Sequence, residues 1–430
     1  MTDDDDDVVA RRTPGIRPAA YSRRHRELPM TETRRPPAVR ELGPAELITT
    51  SAPLQMYAFF PSPARPGDGT PMEDLAPYLE GNLTLAVVQD GVSVAEAAAI
   101  PLRQNVRGLV CDMAGVTAVA THPRVRRQGH ARRLMTELLG QMRDRGCAVS
   151  CLYPFRPSFW QRFGYVGLPK ARTTSFPPAG LAPLLPLDLP GELTVEPVAD
   201  GYGAYRAYLH RVLADRHGFA VMPEFRAARL RDINDRWLVT HCTGGTVTGV
   251  MLYRVGGFDG DLTVDVLLTD DGLGRAGLLR YLGLHADQVA RIVLPLAPDD
   301  LPELWATDLQ TDTEARITLP GSPAPMARVL WLPGLAGMPV GPGRVAVRVV
   351  DDPFLGGDHL LDGTGGTLEV SASTTEPTVV LTAPGLSGLV YGVLDPQDVV
   401  ARGLGTIPEP AGAGLRSLFP RRVPHLTAAF

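Results

Sequence analysis

Three pieces of one stretch decide the fold: VTAVA at residues 116–120, THPRVRRQGHA at 121–131 and, further on, FWQRFGY at 159–165. The β-branched run VTAVA reads as a short buried strand, and Pro123, which has no N–H to offer a ladder, forces a turn after it. Over residues 130–143 the apolar side chains Ala131, Leu134, Met135, Leu138 and Met142 recur at three- and four-residue spacing, so the spacing predicts a helix lying on a sheet. Between strand and helix stand Arg126, Arg127, Gln128, Gly129, His130 and Ala131. Two guanidinium groups, a glycine and the unpaired N–H groups of a helix start make an anion cradle.

Working outward, 430 residues exceed one ordinary core and point to two to four domains. A net charge of −5, with no basic stripe carrying interleaved aromatics, gives no support to nucleic-acid binding. No apolar run is long enough for a membrane span, and the chain opens on five aspartates rather than on a secretory pattern, so no membrane partner and a cytoplasmic location are expected. Cys111, Cys147, Cys151 and Cys242 show no CxxC pair and no histidines at zinc spacing; they read as buried thiols, and no metal is expected.

Along the chain, residues 1–37 combine acidic and arginine clusters with prolines and read as a disordered tail, with Met30 an alternative start. A first domain over 38–175 carries a strand, a helix near 45–60, a Pro/Gly-rich loop at 61–71 that flanks a substrate or simply connects, and a hairpin turning at Asp90-Gly91. Periodicity alone makes this α/β. After a proline-rich crossing, residues 190–315 repeat the order of elements. In this repeat Gly272, Gly274 and Gly277 follow a strand and open a helix, with Asp299 beyond, so a dinucleotide-binding fingerprint competes as a reading. Residues 316–430 read as strands between Gly/Pro turns, with a short helix at PQDVVARG.

Arg126-x-x-Gly129-x-Ala131, set between strand and helix and followed by the strand CAVSCLY and the string RFGY, resembles the acyl-CoA pyrophosphate loop of the GNAT acetyltransferase superfamily. The RFGY string, the chain length and the aromatic last residue resemble one branch, the enhanced intracellular survival (Eis-type) N-acetyltransferases, over nearly everything after residue 38. The resemblance implies an α/β (α+β) chain of two tandem GNAT folds, the second degenerate, then a sterol-carrier-like domain. In that last domain, packing is a stronger reading than lipid binding. It also explains the glycines after Asp271: Asp271-x-x-Gly274-x-Ala276 copies the first loop with an acid in place of Arg126, and a carboxylate repels a pyrophosphate.

The implied reaction is transfer of an acetyl group from acetyl-CoA, the co-substrate, to the amine of a small molecule or peptide. By the family pattern the backbone of Ala118, Val119 and Ala120 pairs with the pantetheine arm, and Arg126, Arg127 and residues Gln128, Gly129, His130 and Ala131 hold the pyrophosphate. Trp160 and Gln161 stand where the family touches CoA, although the family string there contains glycine. Tyr165 is the implied general acid, protonated at neutral pH. The C-terminal carboxylate of Phe430 is the implied general base, which requires Leu426 and Phe430 to anchor the tail and the terminal charge to lie near Tyr165. His122 and His130 read as surface or supporting residues. Ala429 replaces the acid that precedes the last phenylalanine in aminoglycoside-modifying relatives, which argues against those substrates. A homo-oligomer, a hexamer by resemblance, is expected. Two alternatives stay open: an acyltransferase using another acyl thioester in a biosynthetic pathway, and an inactive CoA-binding scaffold.

Overall fold

The computed structural model describes residues 38–61, 63 and 72–430; the expected tail at 1–37 and most of the loop at 61–71 lie outside them. Residues 38–430 form one compact unit built on three sheets. The first is eight-stranded and runs in the order Val39–Glu41, Leu83–Gln89, Val92–Val106, Leu109–Thr121, Val149–Leu152, Met326–Val329 and Val166–Gly167, with Ala220–Val221 paired to Val92–Val106. The turn at Asp90 (φ 51°) and Gly91 (φ 81°) closes the expected hairpin, because two positive φ angles match the right-handed twist of the flanking strands. The helix His130–Asp144 buries Leu134, Met135, Leu138, Leu139 and Met142 against one face of this sheet, as the spacing predicts.

The second sheet has seven strands, in the order Asp312–Glu314, Thr173–Phe176, Arg291–Pro295, Asp261–Thr269, Thr246–Val255, Trp237–Thr243 and Glu192–Pro197. The third has five: Glu369–Ala372, Gly357–Asp362, Arg344–Val350, Val379–Thr382 and Gly405–Thr406. The apolar stretch LSGLV belongs to the helix Ala383–Val390, every residue of which is buried.

The boundaries drawn from sequence need correction. Thr173–Phe176, whose first three residues are assigned to the first domain and whose last opens the proline-rich crossing, hydrogen-bonds to Arg291–Pro295 of the second. Met326–Val329, assigned to the third, fills the gap between Val149–Leu152 and Val166–Gly167 of the first. A strand goes where it finds a pairing edge, and these edges belong to sheets distant in sequence.

Two buried arginines hold the parts together. Arg107 donates from Nε to the carbonyl of Val390 (2.6 Å) and from Nη2 to those of Leu389 (3.1 Å) and Pro420 (2.8 Å), satisfying the last carbonyls of the helix Ala383–Val390. Arg328 donates from Nη2 to both carboxylate oxygens of Asp352 at 3.0 Å and from Nη1 to the carbonyl of Phe163, which fixes the RFGY turn. The C-terminal segment is tied down in the same way: the His425 N–H donates to the His217 carbonyl (2.8 Å), Leu426 is buried, and the Tyr153 hydroxyl donates to the Ala428 carbonyl (3.0 Å).

Candidate active site

The centre of the first sheet is a fork. Leu109–Thr121 and Val149–Leu152 run parallel with rungs from Met113–Val149 to Val116–Leu152, and beyond Val116 no rung joins them. A bulge coincides with the parting: Glu96 pairs with Ala120 and Ala98 with Thr117, so Ala118 and Val119 together oppose Ala97 alone. Ala118 takes a left-handed φ of 53°. The extra residue bends the strand away from its parallel neighbour, which pairs with no residue beyond Val116. Ala118, Val119 and Ala120, whose backbone is expected to pair with an amide-bearing arm, lie in this stretch.

The turn expected to form the anion cradle follows directly. Arg127 (φ 64°) and Gly129 (φ 80°) are both left-handed, and their reversal aims the first N–H groups of His130–Asp144 outward. Gly129 suits this position because a side chain there is strained. Arg126 donates from Nε to the Thr121 carbonyl (3.2 Å), which holds its guanidinium at the strand end, and Arg127, Gln128 and Gly129 are exposed. The side chain of His130 points inward. It is buried, with both ring nitrogens unpartnered among the described residues, and burial, then Arg133, lowers its pKa, so only its backbone N–H is left to face an anion.

Side chains alternate across a strand, and the two faces of the sheet differ. Ala98, Ile100, Gly115 and Thr117 share the face opposite the helix His130–Asp144. On that face a cavity of about 380 Å³ lies between Ser51, Gln55 and Phe59 on one side and Ala98, Thr117 and Ala118 on the other. Phe430 packs its ring over Gly115 and edge-on to Tyr153, with centroids 5.6 Å apart. Behind Ser51 and Gln55 stands a residue that spacing had not singled out, Glu96. It is completely buried, its Oε1 accepts from Ser51 (3.1 Å) and from Gln55, and its Oε2 has no partner at hydrogen-bond distance among the described residues. Burial raises its carboxyl to about 7, with Ser51, Ser93 and Gln55 acting in the opposite direction. A glutamate amid VSVAEAAAIPL was the available signal, since burying a lone acid in an apolar strand is costly.

Tyr165 lies on the other face. Its hydroxyl is enclosed and stands 2.6 Å from the Ser150 hydroxyl, which donates in turn to the Ala114 carbonyl (2.8 Å). Burial holds its pKa well above the ordinary tyrosine value. That rung lies two residues, or about 7 Å, short of the fork. The terminal charge is expected near Tyr165; the rings of Tyr165 and Phe430 pack in different apolar clusters, on opposite faces of the sheet. Trp160 is buried in an aromatic cluster with Phe159, Phe163 and Tyr165, its indole N–H unpartnered among the described residues, while Gln161 and Tyr165 border a separate cavity of about 170 Å³. His122 caps the turn after the strand by accepting from the Arg124 N–H (3.3 Å).

The corresponding corner of the second sheet is closed. Asp271 caps the helix Gly272–Gly283 by accepting from the Gly274 N–H (2.8 Å), so its carboxylate sits where an anion would. His241 fills the space above: a Cβ on Gly277 would meet its ring at 2.7 Å, and the ring is held by Thr248 (2.7 Å) and the Pro190 carbonyl (3.1 Å).

Comparison with known proteins agrees with this repeat. Residues 39–167 match one family model described as an acetyltransferase (GNAT) domain, and residues 199–329 match another with the same description. None of the curated proteins matches the sequence. Among solved structures, a GCN5-related N-acetyltransferase from Kribbella flavida is 22% identical, with a TM-score of 0.75 over 92% of this chain and 99% of its own. A probable N-acyltransferase from Enterococcus faecalis V583 is 17% identical, with a TM-score of 0.78 over 91% of this chain and 99% of its own. Eis1 from Mycobacterium abscessus is 20% identical, with a TM-score of 0.72 over 91% of this chain and 100% of its own.

Proposed function

Since the chain belongs to the GNAT acetyltransferases, with two of their domains in tandem, we propose that it transfers an acetyl group from acetyl-CoA to an amine, using the first domain alone. The observation that carries this is the contrast between the two cradles: Arg126, Arg127 and Gly129 leave helix N–H groups open beside a forked strand, whereas Asp271 caps its own helix and His241 blocks the space.

In this mechanism the pyrophosphate is neutralised by Arg126 and Arg127 and by N–H groups of the helix start. The arm of the co-substrate pairs with backbone groups of Ala118, Val119 and Ala120, and the thioester lies in the fork. The amine approaches from the cavity face, on which Thr117, Ala118 and the Phe430 ring lie; the departing thiolate faces the helix side, which carries Tyr165. Acid and base then work from opposite sides of one sheet. Tyr165 gives its proton to sulfur, and the Phe430 carboxylate takes one from the nitrogen, which becomes strongly acidic once it has attacked the carbonyl carbon. The third sheet and its buried helix serve to seat the C-terminus, and the chain assembles as a hexamer, which light scattering at micromolar concentration tests.

Calorimetry tests the central claim. One acetyl-CoA site per chain is expected, lost in Arg126→Glu plus Arg127→Glu; two equal sites, or binding indifferent to these changes, would overturn it.

A further inference from the structure

The cavity on the amine side has a charge asymmetry of its own. Its described lining is neutral apart from Arg226 and Arg229, three residues apart on the helix Glu224–Ile233 and therefore on one face of it. The acids of that helix are engaged elsewhere. Glu224 accepts from Tyr202 (3.1 Å) and lies 3.4 Å from Arg206, while Asp232 is held by Arg231 (2.8 Å) and Tyr78 (2.9 Å). Among the described residues Arg226 reaches only the Tyr78 carbonyl, at 3.5 Å, and neither Arg226 nor Arg229 is in an ion pair. Burial, then the charge of Arg229, lowers the pKa of Arg226. Two like charges with no counterion among the described residues, in a half-enclosed space, are unfavourable until an anion arrives. Asn82 also lines this cavity, and its Oδ1, itself enclosed, has no donor among the described residues.

Resting on the reading of this cavity as the amine site, we propose that the amine substrate also carries an anion, a carboxylate or a phosphate, which Arg226 and Arg229 hold while its nitrogen lies toward Thr117 and Ala118. Polycations are rejected by the charges that select this class. Arg226 and Arg229 belong to the second domain and contribute side chains to the site of the first, which gives the degenerate copy a task in substrate choice.

The test measures thiol release from acetyl-CoA with matched amines: alanine, phenylalanine and glycylglycine against their C-terminal amides, O-phosphoethanolamine against ethanolamine, and spermine and kanamycin as polycations. The anionic member of at least one pair is expected to have the higher kcat/KM, and the pair concerned tells carboxylate from phosphate. In Arg226→Gln plus Arg229→Gln that preference should fall by roughly 10- to 100-fold, mostly through KM. Preference for the amides or polycations, or a preference unchanged in the double variant, overturns the proposal. If no amine is acetylated although acetyl-CoA binds, the acetyl-transfer reading fails instead. The selectivity claim is then decided by calorimetry of the same pairs with the CoA-loaded protein: tighter binding of the anionic members, lost in the double variant, supports it, and equal binding of both members overturns it.

Discussion

The ring of Phe430 covers Gly115 so closely that a Cβ on Gly115 would stand 3.2 and 3.3 Å from two of its carbons. Since Tyr153 also holds the Ala428 carbonyl at 3.0 Å, the last residues of the chain are seated on the strand that forks, on its cavity face. A residue added after Phe430 replaces a carboxylate with a neutral amide and must lead out of this seat. A C-terminal tag is therefore expected to lower acetyl transfer by at least roughly tenfold while acetyl-CoA binding survives. The same tag at the N-terminus is the control, and equal rates for the two proteins would place the base elsewhere.

Tyr165→Phe removes one oxygen. If Tyr165 is the acid, turnover falls by roughly 10² to 10⁴ with little change in acetyl-CoA affinity. Losing the hydrogen bond to Ser150 alone costs about 1 kcal/mol of stability and leaves turnover within about threefold. Steady-state kinetics beside thermal unfolding separates the two results.

The pair of Arg328 and Asp352 is almost wholly removed from solvent, with side chains 1% and 5% exposed. Asp352→Ala leaves the guanidinium buried without its counterion and should destabilise the protein by about 3–5 kcal/mol, whereas Arg328→Met with Asp352→Leu should recover part of that loss. Urea unfolding measures both, and a single variant within about 1 kcal/mol of the parent would show that water reaches the charge.

Glu96 ties stability to pH. Its folded pKa of about 7 lies above the ordinary 4.5, so the carboxyl is neutral in both folded and unfolded chains at low pH, and only the folded chain resists ionisation between these values. Its contribution therefore falls as pH rises from 4.5 through 7, by an amount on the order of 3 kcal/mol. Glu96→Gln keeps the shape without the charge. It should melt higher than the parent at pH 8, with the advantage fading toward pH 4.5. A parent and variant that melt together at pH 8 would mean that the carboxylate is well accommodated.

What the sequence by itself determined is what short stretches of backbone decide. The hairpin at Asp90-Gly91, the helix over His130–Asp144, the turn at Arg127 and Gly129 before it and the Asp271 cap of the helix Gly272–Gly283 all follow from spacing, φ preference and helix capping within a dozen residues. The tertiary structure decided the rest. Ala118 carries no local mark of the left-handed bulge that opens the fork, because the bulge arises from pairing with Glu96 and Ala98 across the sheet. Met326–Val329 joins the first sheet, Glu96 meets Ser51 and Gln55, and Arg226 and Arg229 reach a cavity walled by Thr117 and Ala118. Each of these joins residues tens to hundreds of positions apart. Such contacts form only when the whole chain buries its apolar surface at once, and no short stretch of sequence contains both partners.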